Sequence, residues 1–394
     1  GVSAALITLD GDKITEVISG IADVKGSRMS LFIDKDQPRI EIIMSKDIVD
    51  LLSEKQMELE VLTPIGGTII PMNLISLEEP IKELGNNIRE NRLRITLIIE
   101  ALEDDRLELM EQRTRSLGMT MVAEPVEFSL IVQYGNLTSM IDRFDGYTTK
   151  LVPLKESFDN GGFFTGVLFD DQETFYHLPS RLVIINGKSY AFIRSISHSI
   201  YTAIRNEVFT LEVDSHWSRD AVNDMISKLV ITNPNDFRPE AHITRGAFAD
   251  YIVKALGLHG ADEEYLMAFS DVPLGTDLVD SISMAAGYGI IKGYTDGTFK
   301  PYNTITRQEA MTMYARAMDV IGLTWNDSQR ILNYGDRDQV ADWAYEEVSN
   351  VLNAGVFNGT SPTTISPEST FRYAEAATAI KNLLDRYLDS FSTE

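Results

Sequence analysis

Two rhythms of hydrophobic positions divide the chain near residue 208. Before it, short apolar runs recur at 39–44, 58–62, 68–70, 94–99, 126–132, 162–168, 181–185 and 189–193. They are rich in Val, Ile, Phe and Tyr and bounded by turn residues, which predicts strands. Asn186-Gly187 between two such runs predicts a hairpin. Two helices interrupt them. One opens at Ser45 and carries Ile48, Val49, Leu51 and Leu52, with Asp47 in the first turn where the helix dipole favours a carboxylate. The other runs from about Asp104 to Leu117 and stops at Gly118. After residue 208 the spacing becomes helical. Phe248, Tyr251, Ile252, Ala255 and Leu256 fall on one face; so do Ala310, Met313, Tyr314, Ala317, Met318 and Ile321, and again Ala376, Ala379, Ile380, Leu383 and Leu384. A shorter helix is predicted before each, near 218–229, 278–287 and 343–352.

These three long helices open in the same way. The fullest copy reads Gly289-Ile-Ile-Lys-Gly-Tyr-Thr-Asp-Gly-Thr-Phe299-Lys-Pro301, then Ile305-Thr-Arg-Gln-Glu309. An earlier copy has Phe237-Arg-Pro239 and Ile243-Thr-Arg-Gly-Ala247, displaced by 62 residues. A later one has Ile365-Ser-Pro367 and Phe371-Arg-Tyr-Ala-Glu375, displaced by 66. Such periods mark repeated supersecondary units, each too small to bury its own apolar face, so three are expected to pack together.

Thr306 and Glu309 form a capping box, which explains both residues structurally. Arg307 is not needed by the cap, and a cation at a helix N-terminus is mildly unfavourable. An anion is therefore expected beside it. That anion is either an acid of the same chain or a carboxylate ligand held bidentately. Arg245, after the cap residue Thr244, repeats the pattern, with Ala247 in place of the glutamate. In the third copy Arg372 falls at the cap position, Tyr373 at the arginine position and Glu375 at the glutamate position. Two competent grooves and one degenerate groove are expected. Gly293 and Gly297 read as positive-φ turn positions; Lys292 and Tyr294 offer a charge and a stacking face. Trp217, its third-copy counterpart Trp343, Phe237, Phe299 and Pro301 read as core.

These motifs resemble the S-layer homology domain, with its Gly-Ile-Ile-x-Gly-Tyr-x-Asp-Gly-Thr-Phe-x-Pro loop and Ile-Thr-Arg-Ala-Glu helix start. The resemblance covers roughly residues 213–388. It implies a helical pseudo-threefold assembly from one chain that anchors surface proteins to the secondary polysaccharide of Gram-positive-type walls, often through pyruvylated sugars. It also implies that Arg245, Arg307, Thr244, Thr306, Lys292, Gly293, Tyr294 and Arg372 face the polymer. More weakly, residues 178–201 resemble the β-rich segment preceding such repeats in some bacterial surface proteins.

A net charge of −24 argues against binding nucleic acid or anionic lipid. Divalent ions such as calcium could bridge its carboxylates, but no calcium-loop pattern stands out and no cofactor is called for. There is no cysteine, hence no disulfide and no thiolate metal site. No apolar run is long enough to span a bilayer, and no signal peptide opens the sequence. His177, His198, His216, His242 and His259 lack metal-ligand spacing. No nucleophile elbow or phosphate loop appears. Acidic pairs such as Asp104-Asp105 and Asp170-Asp171 read as solvated surface in a chain this acidic.

The expected fold class is multidomain: an N-terminal α+β or mostly β ectodomain, then an all-α three-repeat pseudo-trimer. The expected segments are 1–124, 125–208 (or one domain with the first), 209–262, 263–325 and 326–394. The expected role is non-enzymatic anchoring at the cell wall, with possible self-assembly into a lattice and no membrane insertion. The competing reading is an anchored hydrolase or glycan-binding adhesin, with its activity in the first half or in a part outside this sequence.

Overall fold

Asn186 and Gly187 both take positive φ (50° and 79°), the geometry a two-residue hairpin turn demands. They join β13 (Ser180–Ile185) to β14 (Lys188–Ser197) in antiparallel register. This computed structural model describes residues 3–21, 23–156, 158, 163–259, 269–275 and 278–391. The chain divides into two units, Gly1–Asn206 and Glu207–Glu394.

The described first unit is two sheets with peripheral helices. The larger runs β1 (Ala4–Thr8), β3 (Arg39–Ser45), β6 (Arg94–Ala101), β8 (Val126–Tyr134), β15 (Ile200–Arg205), β11 (Thr165–Phe169), β12 (Phe175–Leu178), with β7 (Thr120–Met121) and β9 (Leu137–Met140) alongside. The smaller runs β13, β14, β10 (Arg143–Pro153), β5 (Gly67–Pro71), β4 (Glu58–Leu62), β2 (Arg28–Phe32). Both are mixed: β1 pairs with β3 and β2 with β4 in parallel, the other pairs antiparallel. The larger sheet runs through residue 124, since β6 pairs with β8 along its length. Helices α1 (Gly11–Ser19), α2 (Lys46–Glu54), α3 (Glu78–Leu84) and α4 (Asp104–Ser116) lie between strands. Ser45 caps α2 by accepting from the Ile48 N–H.

The second unit carries α5 (Arg219–Ser227), α6 (Arg245–Leu256), α7 (Val279–Gly287), α8 (Arg307–Val320), α9 (Tyr345–Ala354) and α10 (Tyr373–Asp389). The expectation that this half is all-α does not hold. Short 3-10 turns such as Leu211–Val213, Pro234–Asp236 and Arg330–Asn333 separate the helices. Extended residues before α6, α8 and α10 pair as β-bridges, Thr244 with Thr304, Thr306 with Thr370 and His242 with Arg372. At the centre three residues hydrogen bond in a closed ring. The Ile243 N–H donates to the Phe371 carbonyl (2.9 Å), Phe371 to Ile305 (2.9 Å) and Ile305 to Ile243 (3.2 Å). All three are fully buried, so these strand-like pairs are what buried peptide groups outside a helix require. The expected 262/263 boundary between the first two repeats lies outside the described residues.

Around the ring the repeats dock identically. The first two N–H groups of each long helix donate to the loop that opens another repeat's long helix: Arg245 and Gly246 to Asn303 and Pro301, Arg307 and Gln308 to Ser369 and Pro367, Tyr373 and Ala374 to Ala241 and Pro239. Orphan N–H groups at a helix start must find partners; here a neighbouring repeat supplies them. Phe248, Tyr314 and Phe371 fill the space beneath, with ring centroids 5.3 and 5.6 Å from Phe248.

Candidate functional site

The seams between repeats place the expected site residues. Thr244 caps α6 by accepting from the Ala247 N–H (3.2 Å). Thr306 caps α8, while Glu309 Oε2 accepts from the Thr306 N–H (2.9 Å), completing the capping box. Glu309 Oε1 faces the other way and receives Arg245 Nη1 at 3.0 Å. Arg245 Nε donates to the Phe299 carbonyl (3.0 Å), and its guanidinium lies 4.9 Å from the Tyr294 ring centre. The second seam repeats this. Arg307 Nη1 meets Glu375 Oε1 at 2.6 Å, Nε donates to the Ile365 carbonyl and Nη2 to the Asn358 carbonyl, both at 2.9 Å. The Arg307 side chain is only 4% exposed. Burial pulls its pKa down and the Glu375 carboxylate pushes it back up. Both arginines therefore sit in ion pairs that tie one repeat to the next.

The third seam closes the ring without that pair. Tyr373 occupies the arginine register and Ala247 the glutamate register, so both halves are replaced together. The Tyr373 ring packs edge-to-face on Phe237 and Tyr251, each at 6.0 Å. Arg372 reaches Glu240 (2.9 Å), which also receives His216 Nε2 (2.7 Å). The His216 contact, first, and Arg372 hold the Glu240 pKa below its ordinary value. Glu375 Oε2 accepts from the Arg372 N–H (3.0 Å). A guanidinium has no acceptor, so only half of a capping box forms there.

Other placements correct the sequence reading. Trp217 and Trp343, expected in the core, are 63% and 56% exposed, whereas Phe237 and Phe299 are buried. Gly297 has φ +81°, but Gly293 does not need positive φ. A Cβ on Gly293 would meet the Phe269 ring at 2.5 Å, so close packing requires the glycine. Lys292 is exposed. Tyr294 donates to Glu309 (3.3 Å) and stacks beneath Lys300, 4.2 Å away; burial raises its pKa. Two residues missed from the sequence hold the loops. Asp271 accepts from the Phe299 and Lys300 N–H groups (2.8 and 2.7 Å), and Asp336 from those of Ile365 and Ser366 (both 2.8 Å). The signal was an aspartate at nearly the same distance ahead of these two loops, Asp271 before Phe299 and Asp336 before Ile365.

At the second seam a groove of about 210 Å³ opens, walled by Trp217, Arg307, Phe357, Asn358, Phe371 and Glu375. Arg307 uses three of its five N–H donors on the protein. The groove thus combines an exposed indole, whose apolar face suits a sugar ring, with a guanidinium in its wall, which suits an anionic substituent.

The profile of the S-layer homology domain matches residues 212–249, 268–311 and 333–377, the three units joined around the ring. The second half of this chain carries three S-layer homology domains. Relatives include Cell surface glycoprotein 1 of Acetivibrio thermocellus, 33% identical over 160 residues, 38% of this chain and 7% of that protein. The Cellulosome-anchoring protein of the same organism is 26% identical over 38% of this chain and 34% of its own length. Exoglucanase XynX, also from that organism, is 27% identical over 46% of this chain and 17% of its own. The chain thus matches about a third or less of each. S-layer homology domains are wall-anchoring modules, and they place this chain at the cell-wall surface. Among the described residues, no helix is long and apolar enough to cross a membrane.

Proposed function

We propose that the S-layer homology repeats tether a surface protein to a secondary wall polysaccharide through an acidic, pyruvylated sugar seated in the groove beside Trp217. The observation that carries this reading is that the exposed Trp217 and the Arg307 guanidinium line one groove. The indole covers the apolar face of a sugar ring, and the remaining guanidinium donors meet the ketal carboxylate. Arg245, in the same relation to Glu309 and Tyr294, supports a weaker second position; Thr244, Thr306 and Gly293 shape the seams, while Lys292 and Arg372 add charge at the rims. The first unit acts as a non-catalytic spacer or lattice module. Its sheet-edge strands β1 and β2 carry exposed Leu6 and Phe32, a feature suited to contact between copies.

Calorimetric titration of the full chain with purified wall polymer tests the reading. Trp217→Ala should weaken binding about thirtyfold, the effect of losing a buried aromatic anchor of ~2 kcal/mol. Polymer stripped of its acidic substituent should bind the parent chain weakly. Equal affinity of Trp217→Ala and parent for the acidic polymer would refute it.

A further inference from the structure

Beyond the seams, two arginines converge at the C-terminal end of α9. Gly355 ends that helix in the left-handed conformation, φ +71°. A Cβ placed on it would lie 3.1 Å from Arg386 Nη2 and 3.3 Å from Arg330 Nη1. The two guanidinium nitrogens are therefore no farther apart than about twice that distance. Like charges so close repel unless an anion joins them. Among the described residues neither guanidinium has an ion pair or side-chain hydrogen bond. The acid nearest Arg330 in sequence, Asp327, is held instead by the Gln329 N–H and the Asn353 amide (both 3.1 Å), and the acid adjacent to Arg386, Asp385, pairs with Lys381. The carbonyl end of a helix does favour cations, but neither arginine donates to those carbonyls.

Arg330 also lines a cleft of about 450 Å³ with Asn333, Tyr334, Asn358, Gly359 and Ser361. Amides, a hydroxyl and a phenol are the groups that hydrogen bond sugar hydroxyls. This cleft shares Asn358 and Gly359 with the Trp217–Arg307 groove. One polymer chain crossing that loop would touch both.

We infer that Arg330 and Arg386, with the adjoining cleft, form a separate subsite for an anionic sugar, bearing either a carboxylate or a phosphate ester. The extension to wall polymer rests on the groove reading above; anion binding itself does not. Saturation-transfer NMR on the full chain with D-glucuronate, glucose 6-phosphate and neutral glucose tests it. At least one anionic sugar should bind, glucose should not, and which anion binds distinguishes a carboxylate-bearing from a phosphate-bearing polymer. Arg330→Gln and Arg386→Gln should each weaken that binding at least fivefold, with the thermal midpoint unchanged. Trp217→Ala should leave monosaccharide binding intact. Binding of glucose as strong as that of the anions, or undiminished anion binding by the double variant, would overturn the subsite. With acidic polymer, loss in the arginine double variant but not in Trp217→Ala leaves the subsite standing and the groove refuted; the reverse pattern refutes the extension of the subsite to wall polymer.

Discussion

Lys150 offers the sharpest test of the physics of the first unit. It lies on β10 with no exposed surface. Its Nζ reaches the hydroxyls of Thr148 (3.1 Å) and Thr68 (3.5 Å) and lies 5.2–5.9 Å from the ring centres of Phe144, Phe128 and Tyr201. Among the described residues, no carboxylate pairs with it. Burial, with nearby Arg194 adding repulsion, lowers its pKa from 10.5 to about 7. That difference corresponds to ~5 kcal/mol between charged and neutral forms. The sign follows from linkage. Between pH 7 and 10.5 the unfolded chain holds the lysine proton more tightly than the folded one. This lysine therefore makes the unit more stable as pH rises through that window, and the full penalty is present below about pH 7. Lys150→Met removes the penalty at the loss of two weak hydrogen bonds, about 1 kcal/mol each. The Thr148 and Thr68 hydroxyls keep their own acceptors, the Ser195 and Thr149 carbonyls, so no donor is orphaned. The net expectation is stabilisation by ~3 kcal/mol at pH 6, shrinking towards pH 10. All three tryptophans lie beyond residue 216, so fluorescence does not report on this unit. Hydrogen exchange of peptides covering β10, across urea and pH, does. Parent stability flat from pH 7 to 10, with Lys150→Met no more stable at pH 6, would refute the reasoning.

Two further outcomes concern the seams. Glu309→Ala should destabilise the second unit by ~3 kcal/mol, because Glu309 closes a cap and pairs with nearly buried Arg245. A cap alone would give about 1 kcal/mol, and tryptophan fluorescence during urea unfolding separates the two values. Installing Ala247→Glu together with Tyr373→Arg should rebuild the missing third pair. Each single change should destabilise, and the double variant should recover about 1 kcal/mol or more relative to their sum; strict additivity in the same assay would rule out the cyclic pairing.

The sequence alone specified a good deal, because some signals are local. Asn186-Gly187 fixed a hairpin through its positive-φ residues, and the Thr306/Glu309 spacing fixed a cap, since both depend on neighbours within four residues. The apolar strand runs 39–44 and 94–99 were legible from β-branched residues alone. By contrast, β10 was missed: its Thr-Thr-Lys centre looks like surface, and only the opposing Phe128 and Tyr201 make it interior. The all-α expectation failed for a similar reason. Nothing local announces that Ile243, Ile305 and Phe371, far apart in sequence, satisfy one another's peptide groups at a common centre. Both tryptophans were read as core because large apolar residues usually are, yet both are turned outward, and Trp217 lines a groove. The sequence showed an arginine asking for an anion, and it left the source of that anion open. Tertiary structure decided it, because docking each helix start onto the next repeat brings Arg245 to Glu309 and Arg307 to Glu375 across more than sixty residues. The same cyclic order explains why Tyr373 and Ala247 depart from the pattern together: they are two sides of one contact, which periodicity along the chain does not reveal.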